Sequence, residues 1–440
     1  MFKSSFSHLT QSIHQRNTTW REQGLARHSV EFSTAQDPES RIDGHSRLLF
    51  SSSSYLGLAT HPAVTTAAKQ AIDTYGMGSG GSRLTTGTTA LHNQLERELS
   101  DWLGYEDTVF FATGFQTNLA VLGTLIDSNT TVFSDEKNHA SIIDGIRMAR
   151  ATNRGANNQG SASHDATNRG ATNRGAILKV FPHRDYATLE ELLREDANAH
   201  RQPNRNQLIV SDGVFSMDGT TADIPAIMAL ARKYGAFVVI DDAHGVGTQG
   251  ADGRGTCHAQ LGDNDDWPHV LICTASKALG TEGGFACTSA EVAELLRNQG
   301  RSYVFSTANS APQVAATVAA VGVLKKEEGK RLVGALQRNG RRVAQAVGAA
   351  TKIAPHETSP HETASHGPII PIEIGDEATA MRAAEKLKEL GFHVPAIRYP
   401  TVPRGRAILR VTVMATHTDE QIDALIAAVR SVGTSLALVR

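Results

Sequence analysis

Helix-period apolar patterns alternate along the chain with short continuous apolar runs. From Leu91 the positions Leu95, Leu99, Trp102 and Leu103 recur at helical spacing, and Gly104 closes the run as a C-terminal cap would. A strand is predicted next, over Thr108–Ala112. The alternation then recurs. Asp223 caps a helix with Pro225 in its first turn, apolar Ile224, Ile227, Met228 and Ala231, and Gly235 at its end; the strand Ala236–Ile240 follows. The runs Gln207–Ser211, Val270–Cys273 and Phe285–Cys287 are short, lack strict alternation and are bounded by turn residues, as expected of strands covered on both faces. An α/β fold built on a doubly wound, mainly parallel sheet is the expectation. After a helical stretch from Ala311 to about Ala350 come a strand Ile369–Ile374, a helix Glu377–Leu390, a strand Ala407–Val413 and a helix Asp419–Val432, which read as a smaller α+β domain. The expected organisation is a polar, weakly periodic arm over 1–48, a large domain over 49–320 and a small C-terminal domain over 321–440.

Two segments read as insertions. ATNRG stands at 151–155, 166–170 and 171–175, with a degraded copy, ANNQG, at 156–160, so 151–175 has nothing apolar to bury and reads as an expanded surface loop. A second duplication, PHETS then PHETA, covers 355–364. His356, His361 and His366 do not read as a metal site, and no metal is expected in this chain. Zinc-binding histidines on one helix stand four apart, whereas a spacing of five rotates the second by about 140°, and Pro360 opposes a helix.

Composition narrows the class. With 43 Lys and Arg against 45 Asp and Glu, the formal charge of −2 gives no overall field for nucleic acid or an anionic membrane, and neither is expected as a partner. Cys257, Cys273 and Cys287 contain no C-x-x-C, which argues against a disulfide framework and a cysteine zinc site and fits a reducing compartment. Met1–Asn17 lacks the apolar core of a secretory signal, and the apolar stretch Ala311–Leu324 is shorter than the ~20 residues of a membrane span. A cytoplasmic protein is expected.

Three constellations could carry chemistry. Thr113-Gly114-Phe115-Gln116-Thr117-Asn118 lies between a strand and a helix starting near Gln116, where unpaired backbone N–H groups can receive a phosphate; an ordinary strand-to-helix turn reads the same way. Asp241-Asp242-Ala243-His244 ends a buried strand, where ligands of open α/β sheets gather and a carboxylate needs a cation, a metal or solvent. Asp241 and His244 could converge on one ligand, while Asp242 should point elsewhere. Thr274-Ala275-Ser276-Lys277-Ala278-Leu279-Gly280 follows another apolar strand, and its small neighbours make Lys277 a candidate Schiff-base amine rather than a solvated charge.

The order of these signals, with Asn138-His139-Ala140-Ser141 and Asp212-Gly213-Val214-Phe215-Ser216-Met217-Asp218-Gly219 between them, resembles pyridoxal phosphate (PLP) dependent transferases of fold type I. More narrowly it is similar to the α-oxoamine synthases, over about residues 20–435, through Tyr55-Leu56-Gly57-Leu58, the run Gly76–Thr88 and Pro400-Thr401-Val402-Pro403. Within that family it resembles the branch that condenses L-alanine with a pimeloyl thioester, carried on coenzyme A or on a carrier protein.

The resemblance implies roles. Lys277 would hold the cofactor covalently and later move the α-proton. Asp241 would pair with the pyridine nitrogen, an interaction worth about 4 kcal/mol at ~4 Å and an effective dielectric of about 20, or roughly three pKa units. His139 would stack on the ring, and Ser216 and His244 would bond its phenolic oxygen. Gly114, Phe115 and Thr274 would hold the phosphate. Ser306 and Thr307 would reach the phosphate of a neighbouring subunit, which implies a homodimer. Arg410 would bind the substrate carboxylate, with Arg27 and Thr401 as further substrate contacts. One departure stands out: Ser53-Ser54 replaces the family's usual Asn-Asp before Tyr-Leu-Gly-Leu.

The function expected is a decarboxylating C-acyltransferase of biotin synthesis. Three alternatives stay open: a sister enzyme using glycine and another acyl thioester, a catalytically silent partner subunit, and a metal-dependent hydrolase on Asp241, Asp242 and His244. The presence of Lys277 opposes the second.

Overall fold

The short apolar runs become strands of a central sheet, because a segment apolar on both sides is buried only between two layers. The computed structural model of the protein describes residues 7–156, 175–199, 205–263, 266–348 and 367–436. The segment 157–174, most of the ATNRG repeat, lies outside the described residues, as do the 355–364 duplication and His356, His361 and His366.

An N-terminal hairpin, β1 (Glu39–Ile42) and β2 (His45–Leu49), precedes the main sheet. That sheet contains β3 (Asp107–Phe111), β4 (Thr130–Asp135), β5 (Ile177–Phe181), β6 (Asn206–Asp212), β7 (Phe237–Asp241), β8 (Val270–Thr274) and β9 (Gly284–Thr288), in the order β3-β9-β8-β7-β6-β4-β5. The run from β8 to β5 is parallel, while β9 is antiparallel to both β8 and β3. The sheet is therefore mixed, with a single reversed strand.

Alternation along each strand divides the core. Val238 and Ile240 of β7 pack with Leu95, Leu99 and Ile227 on one face of the sheet. Val239, between them, packs with Val121, Val132 and Ile272 on the other. The helix ends follow their sequence signals. Gly104 and Gly235 adopt left-handed φ of 75° and 69°, and the Asp223 carboxylate accepts the Ala226 N–H at 2.9 Å.

Beyond the main sheet, β10 (Ile369–Gly375), β11 (Phe392–His393), β12 (Ala396–Ile397) and β13 (Ala407–Thr412) form two small sheets, ordered β10-β13-β12 and β1-β2-β11. The N-terminal hairpin thus pairs with a strand more than 340 residues away, Leu48 opposite Phe392. Two differences from the sequence pattern have physical causes. The stretch from Ala311 to about Ala350 is two helices, Ala311–Leu324 and Glu327–Gly348, interrupted at Lys325 and Lys326. A helix, His8–Glu22, forms inside the polar arm; it buries no residue, so no apolar stripe marks it in the sequence.

This topology sets Asp135, Asp212, Asp241 and Thr274 at the carboxyl ends of β4, β6, β7 and β8, with Asp212 in register opposite Asp241. No helix among the described residues is long and apolar enough to cross a membrane.

Candidate active site

The turn after β3 leads into the helix Gly114–Leu125, two residues earlier than its sequence suggests. Thr113 caps it: its Oγ1 accepts the Gln116 N–H at 3.1 Å and its carbonyl accepts the Thr117 N–H at 3.0 Å. Gly114 and Phe115, the first helical residues, thus present N–H groups with no intrahelical acceptor at the positive end of the helix dipole. The helix start sits directly on the sheet. A Cβ added to Gly114 would stand 3.1 Å from Thr274 Cβ, and one added to Gly284 would stand 2.5 Å from the Gly114 N and Cα. Thr274 bonds the Gly283 carbonyl at 2.9 Å and the Ser276 hydroxyl at 2.8 Å, which fixes the loop that carries Lys277.

Asp241 ends β7 and is buried. Its carboxylate accepts the Asn118 side-chain amide at 2.6 Å and the Ala243 N–H at 3.1 Å. Asp242 turns the other way, accepting the Thr256 N–H at 2.7 Å and the Thr256 hydroxyl at 2.6 Å. Burial raises the Asp242 carboxyl to about 7. That geometry removes Asp242 from any shared ligand set with Asp241 and His244, the basis of the hydrolase alternative. Asp212, beside Asp241, accepts the His139 backbone N–H at 3.0 Å; burial and then the Asp241 charge push its pKa well up.

Lys277 Nζ lies 2.8 Å from His244 Nε2, and His244 Nδ1 lies 2.8 Å from the fully buried Tyr55 hydroxyl. Burial lowers the Lys277 ammonium to about 8, against the opposing pull of Asp241 and Asp212. His244 falls well below the usual histidine range, first through burial and then through Lys277. His139 is lowered as well, chiefly by burial. Burial therefore brings the neutral amine of Lys277 within reach at mildly alkaline pH and keeps the His139 and His244 imidazoles neutral.

The other sequence-selected residues lie in separate contacts. Arg410 is buried on β13 and donates through Nε to the Ser216 carbonyl at 2.7 Å, which fixes the guanidinium plane. Ser216 thus contributes its main chain to Arg410. Arg27 Nη2 approaches Thr401 Oγ1 at 3.5 Å, both side chains being exposed. Ser306 stands 3.5 Å from Gln116 Nε2, and Thr307 forms a bridge with Ser82.

Four residues carry contacts for which the sequence reading gave no role: Tyr55, Asn118, Ser141 and Asp212. Asn118 and Ser141 sit in quoted motifs but as ordinary polar positions. Tyr55 had a usable signal, since a tyrosine within an apolar Tyr-Leu-Gly-Leu run needs a buried partner for its hydroxyl.

This donor set fits a phosphorylated pyridoxal. A lysine with a lowered pKa, a buried carboxylate held at a strand end and outward N–H groups at a glycine-started helix are each what one part of that molecule requires.

The sequence model of the aminotransferase class I and II family matches residues 46–429. Over 96% of its length the chain is 44% identical to the biotin biosynthesis bifunctional protein BioWF of Corynebacterium kroppenstedtii, of which it spans 58%. It is 38% identical to the 8-amino-7-oxononanoate synthase of Geobacter sulfurreducens, over 98% of the chain and 100% of that protein. The fold is similar to that of serine palmitoyltransferase from Sphingomonas wittichii, with a TM-score of 0.82 and 28% identity over 99% of this chain and 100% of the other.

Proposed function

The chain belongs to the aminotransferase class I and II family, among its α-oxoamine synthases, and from that premise we propose that it is a PLP-dependent enzyme joining L-alanine to a pimeloyl thioester with loss of carbon dioxide, giving 8-amino-7-oxononanoate. The observation that carries this reading is the full-length likeness to an 8-amino-7-oxononanoate synthase on a chain whose Lys277, His244 and Asp241 meet at one end of the sheet.

When bound, PLP supplies an electron sink for the pair left at the amino acid's α-carbon. The chain's own residues are assigned the rest. The Gly114 and Phe115 N–H groups, with Thr274, hold the phosphate, and Asp241 keeps a proton on the pyridine nitrogen. Lys277 Nζ, lowered to about 8, is the nucleophilic amine and the base that moves the α-proton. His139 would stack on the ring, and His244 and Ser216 would bond its phenolic oxygen. Arg410, its plane set by the Ser216 carbonyl, receives the substrate carboxylate. Arg27 and Thr401, whose side chains approach each other at 3.5 Å, are assigned as further substrate contacts.

The assembly proposed is a homodimer in which Ser306 and Thr307 face the partner's phosphate. The compartment proposed is the cytoplasm, supported by three buried, unpaired cysteines. A sister activity is the second reading, favoured by the likeness to serine palmitoyltransferase.

The test is product analysis with the PLP-loaded protein. L-Alanine with a pimeloyl thioester should give 8-amino-7-oxononanoate at a higher kcat/KM than glycine or serine gives with any acyl thioester offered. A better rate with one of those pairs assigns the chain to the sister activity.

A further inference from the structure

A chain of hydrogen bonds links Asp241 to His139 through two residues to which no role has been assigned. Asn118 Nδ2 donates to Asp241 Oδ2 at 2.6 Å and to Ser141 Oγ at 2.9 Å, so both of its protons are engaged. Ser141 Oγ, already accepting from Asn118, stands 2.7 Å from His139 Nδ1. Its single proton is free to serve that nitrogen, which the Ser141 backbone N–H marks as an acceptor. The Ser141 backbone N–H also approaches His139 Nδ1, at 3.3 Å.

The polarity of this chain is fixed at one end. A carboxylate only accepts, so the Asn118 amide must turn its NH2 toward Asp241. That orientation leaves the opposite face of the side chain unserved: Asn118 Oδ1 is buried and finds no hydrogen-bond partner among the described residues. An orphaned buried carbonyl is costly, and the orientation persists because the reverse one would set a carbonyl oxygen against a carboxylate. Ser141 is 1% exposed, so water does not compete for its hydroxyl.

We propose that Asn118 and Ser141 are positioning residues through which the Asp241 carboxylate sets the tautomer of His139, with Nδ1 as acceptor and Nε2 carrying the proton. The bearing on catalysis rests on the PLP reading above; the tautomer itself does not. Charged or titratable groups facing His139 from the surrounding elements are Asp212 on β6, Asp241 on β7, His244 after β7 and Lys277 after β8. Of these groups only Asp241 is linked to Nδ1 by side-chain hydrogen bonds, through Asn118 and Ser141, and the Ser141 backbone N–H favours the same tautomer, while the others act on the ring as a whole.

The experiment uses the full chain with 15N-labelled histidine rings, with and without added PLP, the His139 signal being identified by its loss in His139→Asn. In the unmodified chain His139 should carry its proton on Nε2. Ser141→Ala and Asn118→Ala should each convert the ring to a mixture of tautomers, and the double variant should go no further than the larger single change. Ser141→Ala should lower kcat roughly tenfold with little change in the KM for the amino acid, because the residue acts through His139 and not on substrate binding. Since alanine favours the helix that begins here, this variant carries the test alone if Asn118→Ala does not fold. A proton on Nδ1 in the unmodified chain, or a His139 ring unchanged by Ser141→Ala, overturns the proposal. A chain that takes up no PLP overturns the cofactor reading instead, and leaves the tautomer measurement standing.

Discussion

Lys277 Nζ and His244 Nε2 stand 2.8 Å apart, on residues that follow adjacent parallel strands, β8 and β7. Burial disfavours the ammonium, and the lysine falls from an ordinary 10.5 to about 8. Below about pH 8 the amine is protonated and is not a nucleophile; above it the neutral form dominates. Capture of PLP by the cofactor-free protein should therefore accelerate about tenfold per pH unit up to about 8 and level off beyond. Stopped-flow absorbance across pH 6–10 measures this. Continued acceleration toward pH 10 would show that Lys277 titrates as a solvated lysine.

Behind His244, the buried Tyr55 hydroxyl meets Nδ1 at 2.8 Å. Tyr55→Phe keeps the ring and deletes that partner, leaving an imidazole nitrogen unsatisfied in the interior. The expected cost is about 1–3 kcal/mol of stability, read from urea unfolding of the cofactor-free protein. A smaller loss than this range would mean that water reaches His244 Nδ1.

Much of this arrangement is legible in the sequence. Gly104, Asp223 and Gly235 mark helix ends because a left-handed turn or a side-chain cap is a local requirement, written at one position. Lys277 and Asp241 were visible for a similar reason: each directly follows or ends an apolar strand, where a charge is costly. What was hidden is nonlocal. The pairing of Leu48 with Phe392 joins residues at opposite ends of the chain, and two-residue strands carry no period to read. Asn118, 23 residues from Ser141 and 123 from Asp241, looks like any polar helix residue until folding brings all three together. The reversal of β9 was hidden as well, because direction depends on the connection and not on the apolar run itself.

Gly284 offers a test of the phosphate corner. A methyl group there would meet Thr117 Oγ1 as well as the Gly114 N and Cα, the latter two at 2.5 Å, and the Gly114 backbone cannot give way as a flexible side chain would. Gly284→Ala should push the helix start off the strand, destabilise the protein by about 1–3 kcal/mol, and weaken PLP binding more than it lowers kcat at saturating PLP. Gly334→Ala, with open space around its Cβ and in the middle of a helix, is the matched control and should leave PLP affinity unchanged. Equal effects of the two would remove the argument that the Gly114–Gly284 contact shapes an anion site.

Asp241→Asn separates charge from shape. The substitution is nearly isosteric, and an asparagine can still accept one of the two hydrogen bonds made here, from Asn118 or from Ala243. Its NH2 group would face a donor, so the local pairing weakens, but the larger change is loss of the anion assigned to the pyridine nitrogen. A pair at ~4 Å and an effective dielectric of about 20 is worth about 4 kcal/mol, equivalent to roughly a thousandfold in rate if all of it acts on proton removal at the α-carbon. Lys277 lies on a different loop, and Asp241 raises its pKa against burial, so the substitution should lower that pKa further and leave covalent capture of PLP intact. The measurement is exchange of the L-alanine α-proton in D2O, followed by NMR, beside absorbance of the bound cofactor. Normal capture with exchange slowed by two to three orders of magnitude is the expected pair of results. Exchange at the unmodified rate would show that the buried carboxylate is not the partner of the electron sink, and that its tie to Asn118 serves the fold alone.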